Sequence, residues 1–277
     1  MKKVFLFALA LIAGSFIFDG CGTTKSTSSA STVSNTKSIA LFNGQDLDGW
    51  YKFVKGRGRG IDPKNVFSVE KGLIHISGEE YGCITTNEEF SNYKLTVEFK
   101  WGPKTFAPRV DRARDGGILL HSIGEDGGYS GTWMYSIECQ IIEGGTGDFL
   151  VVGDGTKKFS LTSNVAPKNG GKANVYLAGG QPLTINGGRI DWFARDPEWK
   201  DVLGFRGKND VEKPVGQWNK VECVVIGDKV SAYLNGVLVN EAYHVSPTKG
   251  KIQIQSEGAE MFVRKVEIVP LNQTKIL

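Results

Sequence analysis

Apolar and polar residues alternate with a period of two along most of this chain, and glycine or Asn-Gly breaks the alternation at short intervals. Residues two apart in an extended strand share a face, so each run predicts a strand with one buried side. The pattern predicts strands at 66–69, 73–77, 82–85, 93–101, 117–121, 135–141, 219–226, 229–234, 250–255 and 262–269. Gly227-Asp228 and Asn235-Gly236 stand between alternating runs and have the residue types of tight hairpin turns. The 36 glycines suit many such turns, and no long stretch carries a helical period. The expectation is an all-β fold, a two-sheet antiparallel sandwich or jelly roll. Residues 144–216 depart from this pattern, being rich in Gly, Asn, Asp and aromatic residues. They predict a long, loop-rich insertion with one strand at 173–177 and a helical turn near 196–200, decorating one face. Loops of this length are usually functional.

The N-terminus has a different composition. Lys2 and Lys3 precede an apolar run over 4–18, followed by Asp19-Gly20-Cys21, the layout of a secretory signal. The run is short for a bilayer span. A cysteine directly after Gly20 points to lipoprotein processing, with Cys21 as the lipidated first residue. Residues 22–38 are mostly Ser, Thr, Asn and Lys and have nothing to bury. The expected organisation is a lipoprotein signal peptide over 1–20, a flexible Ser/Thr tether over 21–38 and a jelly-roll domain over 39–277. The chain is then exported and anchored to a bacterial membrane, at the periplasm or cell surface, through its acyl chains alone.

Charge and cysteine content narrow the classes further. The formal charge of +3 falls to +2 once Lys2, Lys3 and Asp19 leave with the signal, which gives no case for a nucleic-acid partner. With Cys21 lipidated, Cys83, Cys139 and Cys223 remain, an odd number that argues against a full disulfide framework and leaves room for one disulfide in an oxidising compartment. Cys139 and Cys223 alternate with Ile and Val and read as small core residues.

Candidate chemistry comes from the polar sides of the strands. Ser136, Glu138 and Gln140 oppose Ile137, Cys139 and Ile141. Gln253, Gln255 and Glu257 oppose Ile252 and Ile254, and Leu119 and His121 oppose Ile118 and Leu120. Trp133 and Tyr135 flank Glu138. Rings that stack on sugar C–H faces, beside amides and carboxylates that bond hydroxyls, suit a carbohydrate. Glu138-Cys-Gln-Ile-Ile-Glu143 is similar to the Glu-x-Asp-x-x-Glu strand of retaining β-glucanases of the laminarinase and lichenase type, with Gln140 in place of Asp. One β-bulge would put Glu138 and Glu143 on one face as nucleophile and acid/base.

A broader resemblance spans nearly all of the expected domain. Leu41-Phe42-Asn43-Gly44-Gln45-Asp46-Leu47-Asp48-Gly49-Trp50, Tyr93-Lys94-Leu95-Thr96-Val97-Glu98-Phe99 and Gly116-Gly117-Ile118-Leu119-Leu120-His121 occur in order. Ser136-Ile137-Glu138-Cys139-Gln140-Ile141-Ile142-Glu143, Gly216-Gln217-Trp218-Asn219, Tyr233-Leu234-Asn235-Gly236, Ile252-Gln253-Ile254-Gln255-Ser256-Glu257-Gly258 and Phe262-Val263-Arg264-Lys265-Val266 follow. This series resembles the 3-keto-disaccharide hydrolase family. Asp115, Glu143, Glu257 and the late position of Arg264 depart from its pattern.

The resemblance implies a concanavalin-like jelly roll of the lectin and glucanase type, with its site on the concave sheet. It also implies cleavage of a glycoside already oxidised at C3: a base takes the C2 proton, the C1 substituent leaves by elimination, and water adds back. The expected catalytic residues are His121, Glu138 and Glu143. The expected substrate contacts are Gln140, Trp133, Tyr135, Gln255, Glu257, Arg264 and Trp192; in the binding-module alternative, Trp192, Phe193, Trp199 and Phe205 of the insertion form a sugar-binding wall. No ligand spacing demands a cofactor. A divalent metal held by His121 with Glu138 or Glu257 is the one the donor set would allow. The expected partner is an oligosaccharide or glycoside. A retaining β-glucanase and a non-catalytic carbohydrate-binding module are the alternatives.

Overall fold

The computed structural model describes residues 37–168 and 173–272; the expected signal, Cys21 and most of the tether lie outside the described residues. The described chain is all β, with no helix. Its strands are Ile39–Ala40 (β1), Trp50–Val54 (β2), Gly58–Arg59 (β3), Phe67–Glu70 (β4), Leu73–Ile76 (β5), Gly82–Thr86 (β6), Tyr93–Thr105 (β7), Asp115–Ile123 (β8) and Tyr135–Ile142 (β9). Phe149–Val152 (β10), Ser160–Val165 (β11), Gln181–Ile185 (β12), Gly188–Ile190 (β13), Asn219–Ile226 (β14), Lys229–Leu234 (β15), Val237–Ser246 (β16), Lys251–Ser256 (β17) and Ala259–Pro270 (β18) complete them.

Two antiparallel sheets result. One runs β12-β11-β16-β15-β14-β7-β18-β5-β4, with β1 beside β18; the other runs β13-β10-β9-β8-β17-β6-β2-β3. Their inner faces make one apolar core. Leu95, Val97, Phe99, Val221, Cys223 and Val225 from the first meet Ile118, Leu120, Ile137, Cys139, Ile141 and Ile254 from the second. Each large side chain contributes about 1.5–3 kcal/mol by leaving water. This is the jelly-roll sandwich that the alternation predicts. Cys139 and Cys223 are buried and free, as small core residues.

The 144–216 region is built differently from the expectation. It supplies four strands: β10 and β13 extend the second sheet, while β11 and β12 extend the first. Residues 173–177 form only isolated bridges at Val175 and Tyr176, and 196–200 is a turn. β12 and β13 are edge strands of five and three residues and β10 is a four-residue apolar run, so little or no alternation is there to read. Trp192, expected in a sugar-binding wall, is 1% exposed in the core, where its Nε1 donates to the Gly144 carbonyl at 3.2 Å.

Candidate active-site cleft

The second sheet has a second face, and its register decides what lies there. Arg189 pairs with Leu150, Leu150 with Glu138, Glu138 with Leu119, Leu119 with Gln253, and Gln253 with Thr85. These residues therefore form one row across five neighbouring strand pairs, all pointing away from the core. Gln140 pairs with Gly117 beside this row. A small cluster of Cys83, Leu119 and Trp133, with Phe53, Tyr81 and Tyr129 against it, covers the same face outside the main core. A cleft of about 270 Å³ opens here, lined by Asp115, Tyr129, Trp133, Glu138, Gln140, Leu150, Val151, Val152, Gly188, Arg189, Gln255 and Glu257.

Gly117 is the floor. A Cβ on it would lie 2.3 Å from both Glu138 Oε1 and Gln255 Oε1, so only glycine lets the two side chains reach over β8 from opposite sides. Both oxygens are buried without a hydrogen-bond partner. Asp115 is engaged by contrast. Its Oδ1 accepts from Gln140 Nε2 at 2.7 Å and from the Gly116 amide at 3.1 Å, and its Oδ2 lies 3.1 Å from Arg109 Nη1.

Three acidic groups in one small space strain one another's ionisation. Burial, then the Asp115 and Asp148 charges, push the Glu138 carboxyl up to about 8, with Arg189 opposing. Burial pushes Asp115 up to about 7, held back by Arg109, Arg189 and the Gly116 amide. Burial, Asp115 and Glu138 raise the partly exposed Glu257 well above the carboxylate range, against Arg109 and Arg189. Carboxyls that hold protons near neutral pH, beside one with donors arranged for its charged form, provide an acid and a base together.

The structure thus brings together Glu138, Gln140, Trp133, Gln255 and Glu257 of the expected residues. The others lie elsewhere. His121 would share Leu119's face under strict alternation, but it sits at φ 55 where the β8–β9 register slips between Leu120 and Ile123. Its ring is buried edge-on to Tyr93 at 5.9 Å, its Nδ1 is 2.8 Å from the Pro247 carbonyl, and burial lowers it to about 4. Glu143 follows β9 and is turned into a buried clasp. Its carboxylate accepts from Arg114 Nη1 at 2.8 Å, the Arg114 amide at 3.0 Å and the Gly204 amide at 2.8 Å. The facing Glu138–Glu143 pair of a retaining glucanase is not assembled. Tyr135 packs on Phe159 with ring centroids 4.9 Å apart, outside the cleft. Arg264 is on the other sheet, paired with Glu98 at 2.5 Å over the Trp218 ring.

The expected metal donors do not fit a divalent ion. His121 faces the core, and among the described residues no group of three or more His, Cys, Asp or Glu side chains is gathered to hold one. The sequence reading missed Asp115, Gly117 and Arg189 as site residues. A glycine inside an otherwise apolar strand signals a close approach and could have marked Gly117. Nothing local marks Arg189, whose place depends on how β13 pairs with β10.

No curated protein matches the chain. Among solved structures, an inferred glycosyl hydrolase from Parabacteroides distasonis is similar over 85% of this chain and 94% of its own, at 18% identity and a TM-score of 0.50. A β-glucanase from Bacillus licheniformis is similar over 84% of this chain and 97% of its own, at 11% identity and a TM-score of 0.43. At such identities the likeness concerns the fold alone. The sequence pattern of one family spans residues 37–269, almost the whole described sandwich, and the chain belongs to that family, the 3-keto-alpha-glucoside-1,2-lyase-like domains.

Proposed function

We propose that the protein cleaves glycosides oxidised at C3, by elimination across C1 and C2 followed by hydration. Membership of this family makes the protein a carbohydrate-active one. The observation that carries the finer reading is the Glu138 carboxyl: buried, raised to about 8, one oxygen without a partner, and lining the same cleft as Asp115.

Asp115 is the base. Arg109, Gln140 and the Gly116 amide all favour its charged form, so it ionises first of the three. The C3 ketone acidifies the C2 proton, which passes to Asp115 and leaves an enolate. Arg189 lines the cleft, with its Nη1 3.4 Å from Asp148 Oδ2, and is the cation that offsets this developing charge. The enolate re-forms the ketone as the C1–O bond breaks, giving a C1=C2 double bond conjugated to C3=O. Glu138, still protonated near neutral pH, gives its proton to the departing oxygen. Water then adds at C1, giving up one proton to the Glu138 carboxylate, and C2 recovers its proton from Asp115, so both acids return to their starting states. Glu257 and Gln140 bond hydroxyls, while Trp133 and Tyr129 offer ring faces.

The test compares 3-keto glucosides carrying an alkyl or a nitrophenyl leaving group with the same compounds unoxidised. Only oxidised sugars should be cleaved. Glu138→Gln should slow the alkyl substrate by about 10²–10⁴-fold yet cleave the nitrophenyl one within about tenfold of wild type, because that leaving group needs little protonation. Asp115→Asn should lose both. Equal cleavage of unoxidised sugars, or a wild-type rate for Glu138→Gln on the alkyl substrate, refutes the proposal.

A further inference from the structure

Two acceptor oxygens converge over Gly117 with no donor between them. Glu138 Oε1 and Gln255 Oε1 each lie 2.3 Å from the one point a Gly117 Cβ would occupy, so they are separated by at most twice that distance. Both are buried, and neither has a hydrogen-bond partner. Two facing lone pairs buried from solvent repel, and each oxygen is left without a donor. A single proton removes both faults at once: on Glu138 Oε1 it turns that atom into a donor and gives Gln255 Oε1 its missing partner. The strand pairing supports the arrangement, because β17 and β9 flank β8 and present Gln255 and Glu138 from its two sides. Their reach over Gly117 is open only because residue 117 has no side chain.

We propose that Glu138 carries a proton on Oε1 and donates it to Gln255 Oε1 across Gly117, and that Gln255 is thereby a positioning residue that keeps Glu138 in its acid form. Its service to the departing C1 oxygen rests on the function proposed above; the proton bridge does not. The charged groups acting on Glu138 are Asp115 and Asp148, which favour the proton, Arg189, which opposes it, and Glu257, which shares the cleft. Gln255 adds a neutral acceptor that favours the protonated form alone. It thus holds the proton in place when substrate displaces solvent from the cleft.

Infrared spectroscopy of the purified protein reads this without substrate. In the difference between wild type and Glu138→Gln, where the bands of other buried acids such as Glu212 cancel, a protonated-carboxyl carbonyl band should stand at neutral pH and titrate away in alkali. Gln255→Met keeps the length and removes the acceptor. Its band should move to higher frequency, and the titration midpoint should fall by about one pH unit, the worth of one neutral hydrogen bond. Gln255→Asn, which withdraws the oxygen by one methylene, gives the same sign and serves if the Met variant does not fold. If the amide were instead turned to donate to an ionised Glu138, that difference band would be absent at neutral pH and Gln255→Met would raise the midpoint. Either result overturns the proposal. Band behaviour as expected with no cleavage of any 3-keto glycoside leaves the bridge standing and removes the reaction proposed for it.

Discussion

Glu143→Ala separates a structural from a catalytic carboxylate. The side chain is 3% exposed and its two oxygens take three donors: Arg114 Nη1, the Arg114 amide and the Gly204 amide. Removing one partner of a buried ion pair costs about 3–5 kcal/mol. Arg114 retains the Gly102 carbonyl at 3.0 Å and the Pro103 carbonyl at 3.3 Å, which favours the lower end for the guanidinium. Two backbone N–H groups lose their acceptor and add about 1–3 kcal/mol each where water cannot reach. A net loss of about 4 kcal/mol follows once partial hydration of the loop carrying Gly204 is allowed for. With a urea slope of about 2 kcal/mol per molar, the unfolding midpoint should drop by about 2 M. Equilibrium urea unfolding followed by tryptophan fluorescence measures this, because Trp199 Nε1 donates to the Glu143 carbonyl in the same clasp. Cleavage measured well below the midpoint should stay within a few-fold of wild type. A variant with an unchanged midpoint and abolished cleavage would show that Glu143 acts on substrate, and the reasoning from the clasp would fail.

Two further outcomes are expected. Glu212 is buried and takes hydrogen bonds from Trp101 Nε1 at 2.7 Å and Thr146 Oγ1 at 2.8 Å, yet burial still raises it from 4.5 to about 8. A folded value above the unfolded one means the folded state holds the proton more tightly, so this stability is full below about pH 4.5 and is lost as pH rises towards 8. The melting temperature of Glu212→Gln should therefore fall less than that of wild type between about pH 5 and 9 in thermal scans; parallel curves would contradict the assignment. His121→Asn, a residue that accepts φ 55 more readily than most, should fold and keep its cleavage rate within about threefold in the glycoside assay. A loss like that of Glu138→Gln would return His121 to the active centre.

Local pattern was enough to read the sandwich and five of the residues that line the cleft. Period-two alternation is a local property, and a strand with one apolar side has few ways to bury it. The strands 219–226 and 229–234 accordingly appear where the pattern puts them, as β14 and β15. The same rule placed Glu138, Gln140 and Gln255 on the face away from the core, and the ordered motifs marked the family. Tertiary structure decided the rest, because it depends on pairings between distant segments. A register slip at His121 turned an expected catalytic residue into a core residue, and the end of β9 released Glu143 to Arg114. The pairing of β13 with β10 carried Arg189 into line with Glu138, and Gly117 became the floor of a site only because Glu138 and Gln255 lean over it from two neighbouring strands. Alternation fixes which side a residue faces while the strand stays regular; bulges, strand ends and edge pairings set what it meets there, and they are settled by packing rather than by local pattern.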